Sequence, residues 1–96
     1  MPHYIALIHK DPTSCFGASF PDVPGVVAAG DTLDEVIEQA SEALAFAAED
    51  WEELTGHSFP RPRTLDALRT DSEFISESQD AVVAAIPFLA PVRDAA

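Results

Sequence analysis

The sequence predicts an α/β domain of the α+β kind, in which a mostly antiparallel sheet carries one long helix. Two observations lead to this fold class. Short apolar runs separated by turn-forming residues are typical of strands, and one long stretch, residues 32–55, has the apolar period of a helix. The chain has 96 residues, which is enough for one hydrophobic core and too few for two. We therefore expect residues 1–96 to form a single domain.

Three short strands are predicted ahead of the long helix. Residues 4–9 are aliphatic on both sides, as expected of a central strand. Turn-forming residues separate them from a second strand at 15–20, and the short connection favours an antiparallel hairpin. The sequence Pro-Asp-Val-Pro-Gly at 21–25 predicts a second turn, because proline fixes φ and glycine admits positive φ. A third strand is expected at 26–29.

The long helix is the most strongly patterned segment. Thr32 and Glu35 have the spacing of a capping box, in which the hydroxyl accepts a backbone N–H bond and the carboxylate reaches back. Apolar residues then recur at helical spacing, while most of the acids lie elsewhere around the cylinder. Gly56 is a natural end. The helix is therefore expected from about Thr32 to about Thr55.

The segment after the helix has weaker patterns. Prolines exclude regular structure at 57–63, a short helix is expected at 64–69, and the polar residues 70–80 are expected to form a loop. Residues 81–89 are predicted to form the last strand. Pro87 favours a sheet edge for it, because proline cannot donate to the ladder. The remaining residues are expected to form a tail.

These elements predict a sheet of order 3-2-1-4. Strands one to three form a meander, and the long helix covers one face of it. The connection to the fourth strand is long enough for a crossover, so we expect that strand to lie parallel to strand one. The second face then carries apolar residues of strand one without a cover. A second copy of the chain is the simplest cover, so a dimer or tetramer is expected.

Charge and composition limit the classes of partner. Seventeen acids against five bases give a net charge of −12, which repels phosphate backbones and argues against direct nucleic-acid binding. The same charge either keeps the protein soluble or attracts a basic partner. We find no export signal and no membrane span, so a cytoplasmic protein without membrane attachment is expected. Cys15 is the only cysteine, which excludes an internal disulfide and a zinc site of paired cysteines.

No catalytic residue, metal site or cofactor is predicted. The histidines His3, His9 and His57 have none of the spacings of zinc motifs, and Arg61 with Arg63 makes a basic island too small for nucleic acid. The predicted strand order resembles part of a ribonuclease H sheet, and such nucleases hold metals with carboxylates on strands. The strands predicted here carry no carboxylate, so a metal-dependent nuclease is the less favoured alternative.

Three segments carry a resemblance to a known family: YIALIHKD at 4–11, FGASFPDVPGVVAAGDTLDEVIEQASEAL at 16–44 and VVAAIPFL at 82–89. The most specific part is the turn Phe-Pro-Asp-x-Pro-Gly, followed by Ala-Gly-Asp-Thr-Leu-Asp-Glu and the helix. In this order the segments resemble the HicB-like antitoxin family, closely over 4–44 and loosely beyond. The resemblance implies a partial ribonuclease H-like fold without nuclease activity.

The resemblance also implies a partner. HicB-like antitoxins block HicA-like toxins, which are small basic ribonucleases with a double-stranded-RNA-binding type of fold and a catalytic histidine. An acidic antitoxin fits a basic toxin. Many members add a C-terminal helix-turn-helix or ribbon-helix-helix segment that binds operator DNA, and we expect no such segment within these 96 residues. Contacts with the toxin are expected at the second turn and on acids of the helix: Phe20, Pro21, Asp22, Pro24, Glu38 and Glu42.

Two other functions stay open on the sequence alone. One is an orphan HicB-like module that binds another protein or a small ligand. The other is the metal-dependent nuclease, which requires carboxylates grouped on the sheet.

Overall fold

A computed structural model describes residues 3–10, 12 and 15–88 of the chain. The elements follow in the order β1 (His3–Lys10), β2 (Phe16–Ser19), β3 (Val27–Gly30), α1 (Leu33–Thr55), α2 (Leu65–Leu68), α3 (Ser72–Ser78) and β4 (Val82–Pro87). The predicted strands and the long helix are confirmed, with ends shifted by one or two residues. Leu89 of the predicted last strand and the tail lie outside the described residues. None of the described helices is long and apolar enough to cross a bilayer.

The strands form one sheet of order β3-β2-β1-β4, as predicted. Every neighbouring pair is antiparallel. The prediction that the last strand runs parallel to the first is therefore wrong: Tyr4 lies opposite Ile86, and Ile8 lies opposite Val82, in antiparallel register. β3 and β4 form the two edges of the sheet.

α1 begins and ends where the sequence predicts because local contacts cap it. The Thr32 hydroxyl accepts a hydrogen bond from the Glu35 N–H at 3.0 Å, and the Glu35 carboxylate accepts one from the Asp31 N–H at 3.0 Å. At the other end, Gly56 has a φ of 76°, and its N–H donates to the Glu52 carbonyl. Both ends of the helix are thus set by local chemistry.

α1 packs on the first face of the sheet. The helix buries Val36, Ala40 and Leu44 on this face. They share one core with residues of the strands: Tyr4, Ala6, Ile8, Ala18 and Ile86. Ala6 and Ala40 are fully buried, and small side chains on facing surfaces let a helix lie close to a sheet. The apolar period that predicts the helix therefore also predicts its buried side.

The second face is covered by the chain itself. β1 sends Leu7 to this side, where it is fully buried in one cluster with Leu68 of α2 and Phe74 of α3. Ile5 is partly buried against the same cluster. A second copy of the chain was expected here to cover an apolar surface, but α2 and α3 already cover it at Leu7.

The path of the chain after α1 explains why β4 is antiparallel. At Pro60 the chain lies beside the Tyr4 hydroxyl, near the start of β1. At Glu77 it lies beside the His9 ring, near the end of β1, with 3.2 Å between the His9 Nε2 and the Glu77 carbonyl oxygen. The segment between these points therefore runs back along the second face. β4 then starts level with the end of β1 and has to run in the opposite direction.

α3 is the element that sequence analysis missed. The polar residues 70–80 predict a loop, but Ser72–Ser78 forms a helix. The Asp71 carboxylate caps it by accepting a hydrogen bond from the Glu73 N–H at 2.9 Å. Phe74 anchors it on the sheet. Tertiary burial of one aromatic side chain thus outweighs a weak local pattern.

The end of β3 lies so close to the start of α1 that no side chain fits between them. A Cβ added to Gly30 would lie 2.6 Å from the Val36 backbone nitrogen. We expect Gly30→Ala to lower the free energy of unfolding by about 1–3 kcal/mol, the usual cost of overpacking, as measured by urea denaturation. Gly17→Ala in β2 is the matched control, because its added Cβ would meet only the Ala28 carbonyl at 4.0 Å. Equal stability of the two variants would contradict this account.

Candidate functional site

The connection between β2 and β3, which we call the hairpin turn (residues 20–26), has its own hydrogen bonds. The Val23 N–H donates to the Phe20 carbonyl at 3.2 Å, and the Val26 N–H donates to the Val23 carbonyl at 3.3 Å. Val23 is fully buried, and Gly25 takes a φ of 93°, which residues with a side chain rarely adopt. The hairpin turn therefore has a defined shape before any partner binds.

Arg63 joins the hairpin turn to α3. Its backbone N–H donates to the Asp22 Oδ2 at 2.7 Å, and its Nε donates to the Asp22 Oδ1. The Asp22 side chain is only 6% exposed, so these bonds replace water that the carboxylate would otherwise need. The Arg63 Nη1 donates to the Asp71 Oδ2 at 3.1 Å. Bonding to Asp22 first, and to Asp71 second, raises the pKa of Arg63, so this link is held by a permanent charge.

An aromatic cluster positions the segment that carries Arg63. The Phe59 ring packs edge-on against Tyr4 and Trp51, with centroid distances of 5.7 and 5.3 Å. The Tyr4 hydroxyl donates to the Pro60 carbonyl. Burial first, and the charge of Asp22 second, raise the pKa of Tyr4. The neutral phenol therefore remains a hydrogen-bond donor at this junction.

A cleft of about 330 Å³ lies between the hairpin turn and α3. Buried apolar residues line its floor: Phe20, Val26 and Phe74. Exposed residues stand at its rim: Val27, Glu73 and Glu77. The Arg63–Asp71 ion pair also contributes to the lining. The cleft is therefore apolar at its base and acidic at its opening.

The residues expected to contact a partner separate into two groups. Phe20, Pro21 and Pro24 line the cleft, where Pro24 is exposed and Phe20 is 3% exposed. Asp22 is not part of that lining, and its largely buried carboxylate is held in the ion pair with Arg63. The second group is Glu38 and Glu42. They are exposed on α1, which covers the other face of the sheet. The structure thus brings the residues of the turn together and does not bring the helix acids to them.

Sequence analysis missed the residues that complete the cleft. Glu73 and Glu77 fall in a stretch predicted to be a loop, although Asp71 ahead of the apolar Phe74 is a signal for a short capped helix. In the sequence, Arg63 forms only a small basic island with Arg61. Nothing local pairs it with Asp22, because 41 positions separate the two residues.

No three histidine, cysteine, aspartate or glutamate side chains within residues 3–10, 12 and 15–88 are grouped so that they could hold a metal ion. The carboxylate arrangement that a metal-dependent nuclease requires is therefore not found in that part of the chain. The acids near the end of α1 are exposed to solvent: Glu49, Asp50, Glu52 and Glu53.

Comparison with known proteins points to antitoxins. Residues 4–90 match the family described as HicB-like antitoxin of bacterial toxin-antitoxin system. No curated protein sequence matches the chain. The crystal structure of the antitoxin HicB of Burkholderia pseudomallei is 30% identical, with a TM-score of 0.72, over 91% of this chain and 63% of that one. This chain therefore spans less than two thirds of that antitoxin.

Two further solved structures have the same fold. The N-terminal domain of the Burkholderia pseudomallei antitoxin HicB is 29% identical, with a TM-score of 0.71, over 91% of this chain and 98% of the domain. A chain of the HicA3 and HicB3 toxin–antitoxin complex is 24% identical, with a TM-score of 0.68, over 91% of this chain and 98% of that one. At 24% identity, the likeness to the chain of the HicA3 and HicB3 complex shows a shared fold and nothing more.

The charge of Asp71 makes the stability of the folded protein depend on pH. The Arg63 guanidinium first, and the Glu73 N–H second, lower the pKa of Asp71 below its ordinary value of 3.8. A carboxyl whose pKa is lowered by folding stabilises the fold above its ordinary pKa, and that stabilisation is lost as the pH falls through the lowered pKa. We expect Asp71→Asn, which can still cap α3, to lower the free energy of unfolding at neutral pH. The difference from wild type should shrink below pH 3.8.

Urea denaturation over a series of pH values measures this difference. The control is the same substitution in an Arg63→Ala background, where the first cause of the lowered pKa is gone. There the effect of Asp71→Asn at neutral pH should be smaller, since the two residues no longer interact. A difference that does not change with pH would show that the ion pair is not its cause.

Proposed function

Because the chain belongs to the family of HicB-like antitoxins of bacterial toxin–antitoxin systems, we propose that it binds a small basic HicA-like toxin and blocks its cleavage of mRNA. In this proposal it catalyses no reaction itself. The family match over residues 4–90 carries the proposal. The fold shared with the Burkholderia pseudomallei antitoxin supports it, and so does the same fold in a chain of the HicA3 and HicB3 toxin–antitoxin complex.

Charge supports inhibition by occlusion of the toxin. A net charge of −12 attracts a basic protein and accelerates the encounter, because opposite fields steer two proteins together. It also repels RNA and DNA, so these 96 residues are not expected to bind nucleic acid directly. The place of action would be the cytoplasm, where the toxin meets mRNA.

The surface that contacts the toxin would include the hairpin turn. Pro24 is exposed there on a turn whose conformation is already defined, which limits the entropy lost on binding. Glu38 and Glu42 lie exposed on the other side of the sheet. A small toxin seated on the turn would therefore be attracted by these acids at a distance rather than by contact.

The protein, mixed in equal amount with the toxin encoded beside it, should reduce RNA cleavage to the level seen without toxin. Glu38→Lys with Glu42→Lys should slow association by about tenfold at low salt, because exposed charges act mainly on the association rate. Glu49→Lys with Glu53→Lys makes the same change of charge at the same spacing near the other end of α1, and it should slow association less. Cleavage that continues undiminished beside the wild-type protein would contradict the proposed function.

We also propose that the chain self-associates, through the edge of β4 rather than through the second face. Val82 and Val83 are 48% and 40% exposed on this strand. β4 carries no charge and is six residues long, against four in β3. An uncharged edge adds no charge repulsion of its own between two acidic copies, and the longer edge offers more backbone groups for pairing. Antiparallel pairing of two β4 strands about a two-fold axis would join their sheets.

Val82→Lys should shift the protein to the monomer in sedimentation velocity at micromolar concentration. A lysine on this strand places a charge at the pairing edge, and lysine is a usual protection of edge strands. Val27→Lys on the opposite edge makes the same change and should leave self-association intact. A wild-type protein that sediments only as a monomer would refute the proposed oligomer.

A further inference from the structure

β3 forms the edge of the sheet beside the cleft. No strand lies next to its outer side among the described residues, so its outward backbone groups are available to a further strand. Its sequence, VAAG, contains no lysine and no proline, the residues that usually protect an edge. Val27 is 67% exposed. This edge can therefore accept an extended segment of another protein.

The cleft lies beside this edge, on the second face of the sheet. Val27 lies opposite Ser19, and both residues line the cleft. Directly opposite residues in a sheet point to the same face. A strand added beside Val27 would therefore place every second side chain on the side of the cleft. One of these side chains would stand over the space between the hairpin turn and α3.

The rim of the cleft determines which side chain fits. Glu73 and Glu77 are four positions apart on α3, so they point to one side of that helix. Neither forms an ion pair within the described part of the chain. Arg63, the cation of the lining, is already paired with Asp22 and Asp71. The unpaired charge at the opening is therefore negative and matches a cation.

We infer that β3 and the cleft receive an extended basic segment of a partner protein. The backbone of that segment adds a strand to β3, and a lysine or arginine side chain enters the cleft beside Glu73 and Glu77. Its aliphatic stem lies against the buried Phe74 and Val26, as long basic side chains do on apolar surfaces. The inference rests on the proposed function, because it names the surface through which the antitoxin holds a basic toxin.

Other occupants fit this surface less well. A second copy of the chain would have to offer one of its own strand edges, and neither β3 nor β4 contains a lysine or arginine. A nucleic acid would bring phosphates to an acidic rim.

Charge reversal at the rim tests the inference in the complex with the cognate toxin. Glu73→Lys with Glu77→Lys should raise the Kd measured by calorimetry at least about tenfold more than Glu49→Lys with Glu53→Lys does, because like charges placed together in an interface are strongly unfavourable. The control pair has the same spacing and charge change. An equal effect of the two pairs would overturn the inference, while inhibition by the wild-type protein would leave the proposed function intact.

Hydrogen exchange tests the added strand. On toxin binding, amides of β3 should gain protection, while those of β4 should keep theirs. A gain confined to β4 or to α1 would place the partner elsewhere and refute the inference.

A synthetic peptide of alternating valine and lysine tests the cleft without any toxin. If the protein inhibits no toxin, the proposed function fails, but this peptide experiment can still support or overturn the inference. Binding of the peptide should shift the amide resonances of β3 and α3, and Glu73→Lys with Glu77→Lys should abolish these shifts. A peptide of alternating valine and glutamate is the control and should not bind. Absence of shifts with the lysine peptide, or equal shifts with both peptides, would overturn the inference.

Discussion

Burial of β1 on both of its faces is the constraint on which the rest of the fold depends. Ala6, Leu7 and Ile8 are consecutive and all buried, and because a strand alternates its side chains, they require a cover on each face. α1 covers the face of Ala6 and Ile8. α2 and α3 cover the face of Leu7. A chain of this length can bury both faces only by returning along the sheet, and that return sets the direction of β4.

The same return path builds the candidate site. It carries Arg63 to the carboxylate of Asp22 and sets Asp71 against the other side of the guanidinium. The aromatic contacts of Phe59 hold the segment in place on the way. The cleft is thus a consequence of how the second face is covered, since one of its walls belongs to the hairpin turn and the other to the covering helix α3.

The acidic residues of the chain do not all have the same role. Asp22 and Asp71 are bound to Arg63 and hold elements together, whereas Glu73 and Glu77 are exposed at the opening of the cleft. Total charge alone could not separate these roles, because solubility and attraction of a partner both require exposed acids. The distinction depends on which carboxylates are already paired with a cation of the chain. An acidic binding surface needs carboxylates that are not paired in this way.

The sequence by itself determined the first three strands, the long helix with its caps and the strand order. The strands and the helix follow from local chemistry, because alternation, helical period and the capping contacts of Thr32 and Gly56 act between near neighbours. The strand order follows from the lengths of the connections between the strands. The ordered turn-and-helix signature also determined the family. Within the candidate site, it identified the part that is local in the chain, the hairpin turn.

Only the tertiary structure decided the direction of β4, the helix α3 and the cleft. Each depends on contacts between residues far apart in sequence, such as Phe74 against Leu7 or Arg63 against Asp22. The polar stretch at 70–80 has no strong helical pattern of its own, and burial of Phe74 supplies what propensity lacks. The acids at the rim of the cleft were therefore visible in the sequence as charges, while their common position became visible only in the folded chain.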